Sequence, residues 1–189
     1  NKAVFREFGE MLFTHFGVSG PLVLSASAHL RDWEKGRYHL SIDLKPALDE
    51  AKLEARILRD ISENPNRDVE KLLCGLVPHS MAPVLTHRLG FSPTLKAHSL
   101  TREQRRALIG ALKHFTLNIT GVRPVAEAIV TAGGVKVGEV TPNTMASKLV
   151  PGLYFAGEVL DVDAYTGGFN LQIAWATGHL AGVSAAERE

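Results

Sequence analysis

The sequence predicts an α+β protein, and three observations carry that expectation. Tyr38, Leu40, Ile42 and Leu44 alternate with polar residues, the period of two that marks a half-buried strand. Leu53, Ile57, Leu58 and Ile61 recur at i, i+4, i+5 and i+8, the spacing of one helix face. Near the end, Gly152–Glu158 reads as a buried strand that runs through a loop into a glycine-opened helix.

In chain order, Met11–Phe13 is a short apolar run of strand character. Ser19-Gly20-Pro21 opens a helix: proline suits the first helical position, and Leu22, Val23, Ala26 and Leu30 share a face. The Leu53–Ile61 helix stops at Asn64-Pro65, and two shorter helical pieces follow, broken at Gly75–Pro78 and Gly90–Pro93. Thr101-Arg102-Glu103-Gln104 has the form of a capping box, in which Thr101 caps backbone N–H groups and Gln104 reaches back. The helix behind it, taken as Thr101–Phe115, points Leu108, Leu112 and Phe115 one way. After residue 116 charged groups thin out, glycines cluster and β-branched residues alternate around Val125–Val140. The last helix carries Leu171, Ala174, Trp175, Gly178 and Gly182 on one stripe, with the two glycines leaving room for close approach of a sheet or cofactor.

Composition narrows the function classes. With 21 basic and 20 acidic side chains, net charge argues for neither nucleic acid nor membrane as an obligatory partner. No apolar run approaches the roughly 20 residues of a membrane helix. Cys74 is the one cysteine and forms no internal disulfide, which suits a cytoplasmic location. The eight histidines show no tight i, i+4 pair, and no metal site is expected. Cys74 sits beside Leu72, Leu73 and Leu76 and reads as a core thiol. The stretch Gly17–Pro21 lacks the last glycine of a nucleophile elbow, so Ser19 is not a hydrolase nucleophile.

The chemistry concentrates in the last stretch. A strand ending in Gly157-Glu158, a loop, and a helix started by Gly167-Gly168 make a physically reasonable flavin cradle. Glu158 can accept hydrogen bonds from ribityl hydroxyls. Gly167-Gly168 lets backbone N–H groups approach a planar ring, and the positive end of a helix favours negative charge on a reduced flavin. The same pattern also fits a tight strand-loop-helix corner with no ligand. In Thr14–Pro21, His15 is a candidate catalytic group able to polarise a carbonyl or supply a proton; it also fits a turn histidine. Arg102, Arg105, Arg106 and Lys113 fall on one side of their helix. Residues 46–115 hold 11 basic and 8 acidic groups against 4 and 7 in residues 116–189. That basic face fits either a solvated surface or an anionic partner such as RNA.

The segment TAGGVKVGEVTPNTMASKLVPGLYFAGEVLDVDAYTGGFNLQIAWATGHLAG (Thr131–Gly182) closely resembles the end of the YhiN/BaiN-like flavoprotein family. GEMLFTHFGVSGPLVLSAS (Gly9–Ser27) resembles that family's middle region. Ala164 departs from the pattern, which has glycine there in many members; an alanine is strained if that position needs a positive φ. The resemblance implies a discontinuous FAD-binding α/β domain around inserted substrate-side domains. On that reading residues 1–45 and 116–130 form a small β-rich domain, 46–115 a helical insertion, and 131–189 the C-terminal part of the FAD domain. FAD is the implied cofactor, held by Gly157, Glu158, Asp163, Thr166, Gly167, Gly168, Phe169, Asn170 and Leu171. The G-x-G-x-x-G turn that binds the pyrophosphate is expected to precede Asn1, because Gly133-Gly134 with Gly138 has the wrong spacing. The implied activity is flavin-dependent reduction of an activated C=C bond in a small molecule or an RNA uridine, with NADH or NADPH as a possible donor. A non-catalytic RNA-binding or interaction module built on the helical insertion is the alternative.

Overall fold

The computed structural model describes residues 2–30, 34 and 36–187. It is α+β and divides into two compact units: residues 34–121 form one, and the chain on either side of them forms the other.

The first unit starts from the chain on both sides. Strand β1 (Leu12–Thr14) turns back antiparallel on β2 (Gly17–Ser19), and Pro21 then opens α1 (Pro21–Ser27). Gly20 holds φ +97° at the N-cap, where an added Cβ would lie 3.1 Å from Met11 Cα, so the hairpin and helix meet at a position only glycine fits. Val140, Met145, Leu160 and Ala181 form this unit's small buried cluster. Leu160 and Ala181 bring the loop after residue 157 onto the last helix, α6 (Phe169–Ala186).

One expectation for this stretch fails. Residues 152–158 are not a strand: among the described residues only Tyr154 bridges, antiparallel to Ala146, and Gly157–Val159 forms a short 3-10 turn. A strand is held by its neighbours' backbone groups, and a single bridge leaves the run extended but unladdered. The β-branched residues that alternate around Val125–Val140 make isolated bridges, Val135 with Leu160 and Val140 with Ser147. Val125, Ile129 and Val137 are exposed, two 3-10 turns interrupt the run, and Gly133 and Gly134 take φ values of +103° and +137°.

The second unit holds the larger core. Strands β3 (His39–Ile42) and β4 (Phe115–Asn118) pair antiparallel, Leu40 opposite Leu117 and Ile42 opposite Phe115. The alternation at residues 38–44 is as the sequence indicates, with the four apolar side chains half-buried and His39, Ser41 and Asp43 exposed. Between the strands come α2 (Glu50–Glu63), α3 (Val69–Leu73), α4 (Ala82–Arg88) and α5 (Arg102–Lys113). Leu53, Ile57, Leu73, Leu85, Leu108 and Leu112 are fully buried where these helices meet. The half-buried Cys74 packs against the same cluster. Both halves of the capping box form at Thr101 and Gln104. The helix ends at Lys113, so Phe115 reaches the core from β4 rather than from the helix. The contacts tie residues 39–42 and 115–118 to the helices of this unit.

Asp68, at the start of α3, links two segments of this unit. Its carboxylate accepts from Lys96 Nζ at 2.6 Å and pairs with Lys71 Nζ at 3.3 Å. The Lys96 hydrogen bond, followed by that of Lys71, holds its pKa below the usual carboxylate value. A depressed folded pKa adds stability above the unfolded value, about 3.9, and loses it as pH falls through the folded pKa. Asp68→Asn should therefore lower the melting temperature at pH 7, with the gap to the parent closing below about pH 4. Parallel thermal melts at the two pH values check it; an equal gap at both would assign the loss to something other than the carboxylate's charge.

Candidate functional site

The site candidates between Gly157 and Leu171 come together through α6. Gly157 takes φ +73°, and its N–H donates to Thr177 Oγ1 at 2.9 Å; Thr177 in turn donates to Ile173 O on the same helix. The 3-10 turn is thereby hung on the second and third turns of α6, and Glu158 projects from it into solvent.

The loop that follows is pinned at both ends. Val135 N donates to Val159 O and Asp161 N donates to Val135 O, each at 2.8 Å, while Asp161 Oδ1 accepts from Gly133 N. At the far end Asn170 closes a two-way clasp. Its Oδ1 accepts from Ala164 N at 2.8 Å, and its Nδ2 donates to Ala164 O at 2.9 Å. The side chain thus substitutes for a paired backbone, which holds residues 161–168 as a defined loop. Ala164 does not have a positive φ; among the described residues Met145 is the only non-glycine that does. The alanine departure therefore carries no backbone strain.

Gly167 and Gly168 take φ +123° and +86° and deliver the chain into α6. No side chain caps this helix, and its first turn holds no acidic residue. Several N–H groups at its start thus lack the usual side-chain acceptor, at the positive end of an 18-residue helix. A Cβ at Gly168 would meet nothing within 4 Å, so the space over this turn is open. Asp163, Thr166, Phe169 and Leu171 are exposed around it.

The apolar stripe expected on α6 divides between two faces. Ile173, Ala174, Thr177, Leu180, Ala181 and Ser184 face inward, at helical spacing. Leu171 and Trp175, expected to share the inward stripe with Ala174, are 56% and 66% exposed, and Gly178 and Gly182 are exposed beside them. Spacing alone does not choose between two apolar faces of one helix, and here the second one is left open.

His15 occupies the turn between β1 and β2. It is exposed, with its ring edge-on to Phe16 at 5.1 Å. A second pair has no signal in the local sequence pattern. His29, just past α1, hydrogen-bonds through Nε2 to Tyr165 Oη, a partner 136 residues away. Tyr165 lies inside the glycine motif, but no local pattern in the sequence pairs it with His29.

The basic face of α5 is smaller than its spacing suggests. Lys113 is 12% exposed; its Nζ donates to Lys45 O and Leu48 O and pairs with Asp43. Arg105 is half-buried, and its Nη1 donates to Leu100 O at 3.1 Å. Only Arg102 and Arg106 of the four are exposed. Among the described residues no helix is long and apolar enough to cross a membrane.

Residues 1–130 match the family described as HI0933-like protein barrel and H2TH domain. The chain is 36% identical over 95% of its length to a 3-dehydro-bile acid delta(4,6)-reductase of Clostridium scindens. It is 37% identical over 94% of its length to a ribosomal RNA dihydrouridine synthase of Escherichia coli, and 30% identical over 94% to that of Haemophilus influenzae. It spans 44% of the first relative and 42% of each of the others. On these matches the chain belongs to the HI0933-like family, in keeping with the YhiN/BaiN-like resemblance of its motifs.

Proposed function

We propose that this chain is part of a flavin-dependent oxidoreductase that adds a hydride and a proton across an activated C=C bond. The observation that carries the reading is the open turn at Gly167-Gly168. Two positive-φ glycines lead into a helix whose first N–H groups no side chain caps, on a loop clasped by Asn170 and anchored through Gly157. Such a turn suits the flat, electron-rich edge of a flavin, which needs close backbone approach and fixed N–H dipoles. The exposed carboxylate of Glu158 fits a cofactor hydroxyl, and the exposed Phe169 and Leu171 fit the cofactor's apolar surface. FAD is the form that the motif resemblance implies. Bound there, the flavin supplies two-electron chemistry; this chain's residues hold its position and polarise its pyrimidine edge. The relatives support the same reaction class, one being named a delta(4,6)-reductase and another a dihydrouridine synthase.

The substrate falls in one of two groups, small conjugated ketones or a uridine of RNA. The exposed pair Arg102 and Arg106 favours including RNA as a polyanionic partner. A reduced nicotinamide is the proposed electron donor, and the cytoplasm the proposed location.

Flavin retention tests this reading. In the flavin-loaded protein, Gly168→Val forces a β-branched residue to φ +86° and fills the open space above the turn. It should weaken flavin binding about tenfold or more, the loss of a single net hydrogen bond's worth of contact. Glu158→Ala should lower retention by less. The ratio of flavin to protein absorbance after gel filtration reports both. Full occupancy in both variants, with native circular dichroism, would remove the cofactor from this turn.

A further inference from the structure

A cavity of about 520 Å³ opens between the end of α1 and the clasped loop, lined by Ala28, His29, Asp163, Ala164, Tyr165 and Phe169. It is open to solvent on one side and wide enough for a small ring system, and its walls combine aromatic faces with a few polar groups. It lies on the same loop that leads into Gly167-Gly168, two residues beyond Tyr165.

Two polar groups in it are ordered by contacts on several sides. His29 is half-buried, with Phe5 stacked on its ring at 4.9 Å and 27°. The Tyr165 ring tilts against it at 5.7 Å, and Nε2 of His29 lies 2.5 Å from Tyr165 Oη. Tyr165 lines the cavity and is 45% exposed, and its hydroxyl is positioned by the imidazole. The Asn170–Ala164 clasp fixes the backbone immediately before it. When Nε2 carries the proton it donates to Oη, leaving the phenol O–H free to donate to a ligand.

Resting on the flavin reading above, we propose that this cavity receives a ring carbonyl conjugated to a C=C bond, and that Tyr165 is its proton donor, with His29 as the positioning residue. A reduced flavin held at the Gly167-Gly168 turn would supply the hydride to the carbon β to the carbonyl. The C=C π pair moves toward the carbonyl, and the Tyr165 O–H bond breaks as its proton joins the α-carbon. The phenolate left on Oη takes the Nε2 proton of His29 as solvent delivers a proton to Nδ1, so the ring relays a proton without becoming an imidazolate. Two electrons and two hydrogens enter the ring, and the flavin is the species oxidised. His29 and Tyr165 act in this scheme on the side of the reaction where charge develops, the place where a positioned acid contributes most.

The experiment uses full-length, flavin-loaded protein, chemically reduced under anaerobic conditions and mixed with cyclohexenone in one arm and uridine in the other. Flavin reoxidation is followed by absorbance. A second readout, free of turnover, is binding of cyclohexanone to the oxidised protein by titration calorimetry. Tyr165→Phe should slow reoxidation about 100-fold or more while leaving flavin occupancy and chemical reduction unchanged. It should also weaken cyclohexanone about tenfold by removing the hydroxyl donor. His29→Gln should slow reoxidation with little change in flavin occupancy, and provides the check if Tyr165→Phe fails to fold. Equal reoxidation rates in parent and variants would overturn the proton-donor role and leave the flavin reading intact. A full-length parent protein that holds no flavin would overturn the flavin reading; the calorimetric arm would then decide the cavity alone, with equal cyclohexanone binding in parent and Tyr165→Phe counting against it.

Discussion

Gly134→Ala should destabilise the protein by about 2–6 kcal/mol, the sum of backbone strain and overpacking. Gly134 holds φ +137°, and a Cβ built there lies 2.5 Å from Val159 O, 3.0 Å from Leu160 C and 3.1 Å from Asp161 N. All three atoms are backbone, so no side chain can swing aside to relieve the contact. Nor can the two segments separate freely. The hydrogen bonds from Val135 N to Val159 O and from Asp161 N to Val135 O hold them together, next to the buried Leu160. Gly138→Ala, four residues on, meets nothing within 4 Å and should change stability by less than about 0.5 kcal/mol. Urea unfolding of the two variants measures the contrast, and equal midpoints would refute this close approach. The finding also explains the glycine pair at residues 133–134, whose spacing ruled out a dinucleotide turn. Gly134 is there because two backbone segments touch.

Lys113→Met should cost about 2–4 kcal/mol, despite being a change of one lysine in a helix that looks basic from its sequence. The methionine keeps much of the apolar stem, so the loss isolates the ammonium group. Three acceptors lose their donor: Lys45 O, Leu48 O and the Asp43 carboxylate, which together fasten the chain after β3 to the end of α5. With the lysine only 12% exposed, water replaces those bonds incompletely, and hydrogen bonds to a charged group are the stronger kind. Replacing the exposed Arg102 and Arg106 with Gln should leave stability within about 0.5 kcal/mol, since neither is tied into the core. Denaturant titrations compare the two. A Lys113→Met midpoint equal to that of the arginine double variant would return Lys113 to the solvated face. If the contrast holds, the double variant is also the clean reagent for RNA binding, because any loss of affinity then comes without loss of fold.

The helical part of the molecule was readable from local pattern because its information is local. The Leu53–Ile61 period, the Asn64-Pro65 stop, the Thr101–Gln104 box and the alternation from Tyr38 to Leu44 each involve residues within a few positions of one another. The structure forms each of them, and the end of α5 moves by only two residues. The family was equally legible, since the long motif from Thr131 to Gly182 is a matter of residue identity and spacing, and the comparisons place the chain in the group it resembles.

Tertiary structure decided what depended on distant partners. Whether Gly152–Glu158 became a strand depended on neighbouring strands, which the residue pattern does not encode, and a single bridge to Ala146 left it unladdered. Which face of α6 turned inward depended on what packs against it, so Thr177 and Leu180 went in while Leu171 and Trp175 stayed out. The charge of α5 was plain in the sequence, but two of its four basic residues proved to be hydrogen-bonded anchors because backbone carbonyls came within reach. Likewise the sequence by itself determined a glycine-rich turn ahead of a helix, and only folding across 136 residues set His29 against Tyr165 beside it. Local spacing specifies which residues share an element; the long-range contacts specify which of their groups remain free to act.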